Sequence, residues 1–265
     1  MVSHDRLRQT TVTLAAIFCA VGTLVGTGVI GTPVAQTSGG SLSDNATLVA
    51  PAGPAFSIWS VVYAGLAAYT VWQWAPALTT STRMRLTGWL AAASMVLNAA
   101  WLLVTQQDWI WISVVVIVAL LATLLEIVRR LHRQQPVSRV DLVVTDGTFG
   151  LYLGWVAVAT VANIAAALTD SDVTAARTVE VMAAAAAVVV VTAAGIGLAR
   201  SFGGRWAVAA AIAWGFAWVA FGRLNEAPES VTTAVVAIAG ALVVLAAAAR
   251  FHRPVPVAAG DFVGP

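Results

Sequence analysis

"PAGPAFSIWSVVYAGLAAYTVWQW", residues 51–74, decides what kind of chain this is. A rigid Pro/Gly turn opens it, and about twenty residues without one charge follow, the length at which a helix crosses a hydrocarbon core. Lipid alone would be content with Leu, Ile and Val. This stretch instead carries Trp59, Tyr63, Tyr69, Trp72, Gln73 and Trp74. So many rings ask for a role beyond crossing a bilayer.

The rest of the chain agrees with a membrane setting. Of 265 residues, 60% are hydrophobic and 10% charged, against about 25% charged in an ordinary soluble domain. Too few charges remain to cover a water-exposed surface, so the fold class is an all-α integral membrane protein whose first partner is the lipid bilayer. The basic residues are fourteen Arg and no Lys, and they are dispersed. A nucleic-acid partner would need them clustered on a polar surface, so no nucleic acid is expected. Cys19 is the single cysteine and can form no intramolecular disulfide.

Windows of about 20 apolar residues give eight spans, near 12–31, 55–75, 86–104, 109–128, 148–168, 178–199, 206–222 and 231–249. Arg6, Arg8, Arg83, Arg85, Arg129, Arg130, Arg133, Arg139, Arg200, Arg205, Arg250 and Arg253 fall on one side. Only Arg177 and Arg223 fall on the other, beside Asp44, Asp108, Asp170, Asp172, Glu226 and Glu229. Basic loops stay in the cytoplasm, which predicts a multi-pass protein of a bacterial cell membrane with both termini cytoplasmic. The first span also has the basic start of a secretory signal, but its run is longer than an h-region of about 7–15 residues, and Pro33 suits a cleavage site poorly. A retained helix is expected, with Gly22 and Gly26 as a GxxxG pair and Gly28 and Gly31 beyond, a pattern suited to close helix packing. Residues 32–54 read as an irregular outside loop from their Gly, Ser and Pro content. Residues 251–265 form a cytoplasmic tail.

Helical rise of 1.5 Å per residue puts Trp59 and Tyr63 roughly 6 and 12 Å below the outer edge. On outward-running spans, Asn98 and Trp101 lie roughly 9 and 5 Å deep, and Asn163, Ala159 and Trp155 roughly 8, 14 and 20 Å. Trp59 with Tyr63, Asn98 with Trp101, and Trp155 with Ala159 and Asn163 each share a helix face by their spacing. Asn amides facing lipid would lack partners, so both amides should point inward. They may be read as helix glue with the rings as an interfacial belt, which suits Trp101, Trp109 and Trp111 near the edge; Trp155 is too deep for a belt. The convergent set reads better as a pocket. Trp214 and Trp218 of the seventh span are expected to be interface packing.

The same residues resemble the TspO/MBR family, the tryptophan-rich sensory proteins related to the translocator protein. "LYLGWVAVATVANIAAAL" (151–168) resembles that family's last helix, with Tyr152, Trp155, Val156, Ala159, Thr160 and Asn163 at its spacing. "LNAAW" (97–101) resembles its third helix, and "FSIWSVVYAGLAAYTVW" (56–72) its second. The resemblance covers residues 12–168 and implies a TspO-like five-helix bundle over 1–168, here followed by three further transmembrane helices over 169–250. It implies a ligand-binding or sensory protein holding a tetrapyrrole, porphyrin or haem, or a similar flat apolar molecule. Trp59, Tyr63, Asn98, Trp101, Trp155 and Ala159 would line that pocket, with Tyr152 and Asn163 completing the candidate set. No cofactor is obligatory, and a homodimer is one assembly open to such a bundle.

Two other function classes are weighed. A coupled transporter needs an ionisable group deep in the membrane; Glu126, Asp146 and Glu180 lie at span ends, and Glu126 reads as a helix-end ion pair with Arg130. Uncoupled transport of a small apolar metabolite remains the alternative. For an enzyme, no catalytic residue is assigned and no metal site: His4, His132 and His252 all fall in inside segments. Cys19 and Met95 are lone sulfurs that usually just pack. Light-dependent porphyrin breakdown needs only nearby Trp and stays open.

Overall fold

Eight helices long and apolar enough to cross a membrane stand among the described residues. The structure is a computed structural model, and it describes residues 2–26, 29–30, 32–171, 173 and 175–257. The helices are α1 (Val2–Gly26), α2 (Ile58–Trp72, entered through a 3-10 segment at Gly53–Ser57), α3 (Thr82–Thr105) and α4 (Ile110–His132). They continue with α5 (Arg139–Asp170), α6 (Arg177–Phe202), α7 (Trp206–Asn225) and α8 (Val231–Phe251). No strand occurs among the described residues. The all-α, eight-span reading holds, and the chain is an integral multi-pass membrane protein.

Helix boundaries differ from the hydropathy windows mostly at the basic end, where α1 starts and α8 stops. α1 runs Val2–Gly26 rather than 12–31. Its polar first turns are helical because they find partners. Asp5 pairs with Arg85 at 2.6 Å, buried Arg8 donates to the Thr79 carbonyl at 2.9 Å, and Gln9 donates to the Gln73 carbonyl at 2.8 Å. α5 likewise starts nine residues before the expected 148, through a π-helical segment at Leu142–Gly147. There Arg83 of α3 pairs with Asp141 at 3.2 Å, and Asp146 bridges Arg83 to Arg205. All four side chains are nearly buried. A hydropathy window rejects such a stretch; mutual neutralisation lets it pack. Glu126 pairs with Arg130 at 2.6 Å as read, and with Arg129 as well.

Helices α1, α3, α4, α5 and α2 close a ring in that order, with α2 the most lightly packed. The α1–α3 crossing is close because Gly22 has no side chain: a Cβ there would meet Ala99. The glycine pair Gly22 and Gly26 is thus used inside the bundle, against α3. Gly28, Gly31 and Asp172 lie outside the described residues, as does most of the 251–265 tail. α7 lies along α5, α8 along α7 and α6 along α8. At Gly154 a Cβ would run into the backbone of Val208, so α5 and α7 touch backbone to backbone. One apolar core runs from Val12 to Ala248 across both helix groups.

Residues 32–57, which lead into α2, fold as a roof over the end of the bundle opposite the basic one.

Candidate ligand-binding site

Under the roof lies a chamber of about 490 Å3, walled by Thr23 and Gly26 of α1, Trp59, Ser60 and Tyr63 of α2, Trp101 and Leu102 of α3, and the roof residues Val34, Leu42, Asp44 and Phe56 among others. A smaller chamber of about 60 Å3 shares Val34, Leu42, Phe56 and Trp101 with it and reaches Trp155, Ala159 and Asn163 of α5. The larger volume, about 490 Å3, falls within the range of about 300–1,000 Å3 usual for small-molecule pockets.

The rings are arranged by one another. Trp59 stacks on Tyr63, one helical turn away, with centroids 5.3 Å apart and planes 18° from parallel. Trp155 stands edge-on to both Phe56 and Trp59, at 5.8 and 6.3 Å. Tyr152 stands edge-on to Trp59 at 5.8 Å. These are the offset and T-shaped geometries that ring quadrupoles favour, so the wall is set before any ligand arrives.

Of the candidates read from sequence, Trp59, Tyr63 and Trp101 border the larger chamber, and Trp101, Trp155, Ala159 and Asn163 the smaller. Asn98 and Tyr152 stand behind the wall, each 1% exposed or less. The two amides hold the wall together. The Asn98 Oδ1 accepts from the Tyr63 hydroxyl at 3.1 Å, with the Cys19 thiol at 3.6 Å. The Asn163 Oδ1 accepts from the Trp101 indole at 2.7 Å, and its Nδ2 donates to Ser113 at 3.0 Å. They therefore act as glue that aims the rings. Trp101 is no belt residue, in contrast to Trp109 and Trp111, which are about half exposed.

Two buried polar groups on the smaller chamber's wall are left over: the Nε1–H of Trp155, 1% exposed, and the hydroxyl of Thr47 have no hydrogen-bond partner among the described residues. An unmade buried hydrogen bond costs about 1–3 kcal/mol, which an acceptor on a ligand would recover.

Sequence reasoning missed the roof. Val34, Leu42 and Asp44 reach the chamber from a segment with no helical or strand period, and Phe56 from the first turn of the expected second span. Helix α7 holds this roof in place. Arg223, fully buried, donates to the Thr47 carbonyl at 2.7 Å and the Asp44 carbonyl at 3.3 Å. The Trp214 indole donates to the Ala55 carbonyl at 2.9 Å, and the Ala52 amide donates to the Trp218 carbonyl at 3.2 Å. Trp214 and Trp218 are packing residues as expected, but what they pack against is the roof and the outer side of the Trp155 cluster.

A multi-pass helical bundle with an aromatic chamber beneath a fixed roof defines a class of membrane ligand-binding and sensory proteins. A family model described as TSPO-like protein matches residues 9–248, which include part or all of each of the eight helices. The chain belongs to that TSPO-like family. Comparison with curated proteins and with solved structures returned no match.

Proposed function

We propose that this protein binds a flat, largely apolar ring system, a tetrapyrrole such as porphyrin or haem being the type, between Trp59, Tyr63, Phe56 and Trp101. The observation that carries the reading is the 490 Å3 chamber with those four rings on its wall. Aromatic faces stack on a flat ligand, and the Trp155 indole offers a buried donor in the adjoining smaller chamber.

Binding is favoured over passage. Beneath the chamber, Tyr152 and Met95 are fully buried, and the Tyr63–Asn98–Cys19 group ties α2, α3 and α1 together. The chamber thus has a floor. No described histidine borders it, so affinity for haem would come from ring contacts rather than iron ligation. The arginine asymmetry supports an orientation with both termini cytoplasmic, which puts the roof on the outer face. Titration of the full chain in neutral detergent with protoporphyrin tests the reading, with tryptophan quenching as the signal: saturation at one ligand per chain supports it, and linear, unsaturable partition refutes it.

A further inference from the structure

Three acidic residues lie in or under the roof, and two are engaged in holding it. Asp108 accepts from the Ser38 amide at 2.5 Å, and Asp170 accepts from the Ser41 hydroxyl at 3.0 Å. Asp44 differs. Its carboxylate has no hydrogen-bond or ion-pair partner among the described residues, it is half-buried, and it borders the larger chamber. The nearby Arg223 hydrogen-bonds the carbonyl of Asp44, not its carboxylate, and acts on the carboxylate only by charge through space. That bond, with the Thr47 bond beside it, fixes the backbone from which the carboxylate projects. Among the described residues lining either chamber, Asp44 is the only one with a charged side chain.

A single carboxylate facing a box of Trp59, Tyr63, Phe56 and Trp101 is the chemistry that recognises an organic cation. The carboxylate attracts the charge, and ring faces attract it further through their quadrupoles. We infer that Asp44 is a specificity-determining residue that selects flat aromatic ligands bearing a cationic or amine group over those bearing a carboxylate. This rests on the aromatic-chamber reading above and narrows it: a ligand with acidic substituents has to turn them away from Asp44.

Three anthracenes of one ring size test the charge alone: 9-anthracenecarboxylate, 9-anthracenemethanol and 9-(aminomethyl)anthracene, anionic, neutral and cationic at neutral pH. Each is titrated against the full chain in neutral detergent, with empty micelles as the blank and displacement by protoporphyrin as the site check. The cation should bind about tenfold more tightly than the anion, the ratio that about 1.4 kcal/mol gives, with the alcohol between. Asp44→Asn should bring that ratio close to one, and Asp44→Glu should keep it. Equal affinities in the parent chain, or a ratio that Asp44→Asn leaves intact, overturn the assignment while the neutral alcohol's binding keeps the chamber reading alive. Failure of the alcohol itself to bind and be displaced overturns both.

Discussion

The guanidinium of Arg223 donates to the carbonyl of Thr47 at 2.7 Å, across 176 positions of sequence. It ties the seventh helix to the roof of the chambers walled by α1, α2, α3 and α5. The C-terminal helices are therefore part of the site's architecture without touching its interior. Arg223→Met removes the donors and leaves two carbonyls without them, at about 1–3 kcal/mol each if they stay dry. Hydrogen exchange of roof amides between Thr37 and Ala55 should speed up, and bound porphyrin should dissociate several-fold faster. Unchanged exchange and dissociation would mean the roof stands without α7.

The α5–α7 contact is the second support. At Gly154 an added methyl meets the Val208 backbone and the Ala211 side chain. Gly154→Ala should cost about 1–3 kcal/mol, the usual range for overpacking, read as a lower melting temperature in detergent. A neutral result would show that the two helix groups separate easily.

At the basic end, Asp146 lies between Arg83 and Arg205 with all three side chains nearly buried. Asp146→Asn strands the Arg205 guanidinium and leaves Arg83 with Asp141 as its carboxylate partner, and should destabilise the fold by about 3–5 kcal/mol, the usual cost of breaking a buried ion pair. Asp146→Glu, which keeps the charge, should lose less. Equal losses in the two variants would show that shape, not charge, is what matters there.

Such buried charge explains where the sequence was readable and where it was not. Eight spans were legible because hydropathy over twenty residues is a property of the whole window. The starts of α1 and α5 were not, since Arg8, Arg83, Asp141 and Asp146 look like loop residues until their partners are known. In the site, Trp59 and Tyr63 were legible from depth and helical spacing, whereas the depth of Trp101 suggested a belt and only the family resemblance put it in the pocket. Asn98 and Asn163 were correctly turned inward, but their partners, Tyr63, Trp101 and Ser113, decide that they brace the wall. Asp44 belongs to a segment without periodicity and Phe56 to the edge of the second span, and only the fold reveals that they border the chamber.

A fourth expectation concerns iron. Because no described histidine borders the chamber, metal-free protoporphyrin and haem should bind within about threefold of each other; a tenfold gap is about 1.4 kcal/mol. A bis-histidine absorbance spectrum for the haem complex, lost on His132→Ala, would contradict a stacking-only site.

The most direct test is to fill the chamber without touching the core. Ser60 of α2 borders the larger chamber, and its side chain is solvent-accessible with no hydrogen bond among the described residues. Ser60→Phe puts a ring where the ligand would lie and displaces no packed side chain. Protoporphyrin affinity, measured by tryptophan quenching for the parent and for Ser60→Phe, should fall by more than about tenfold, more than about 1.4 kcal/mol, while the melting temperature stays where it was. Unchanged affinity in a folded Ser60→Phe protein would place the ligand elsewhere and contradict the account.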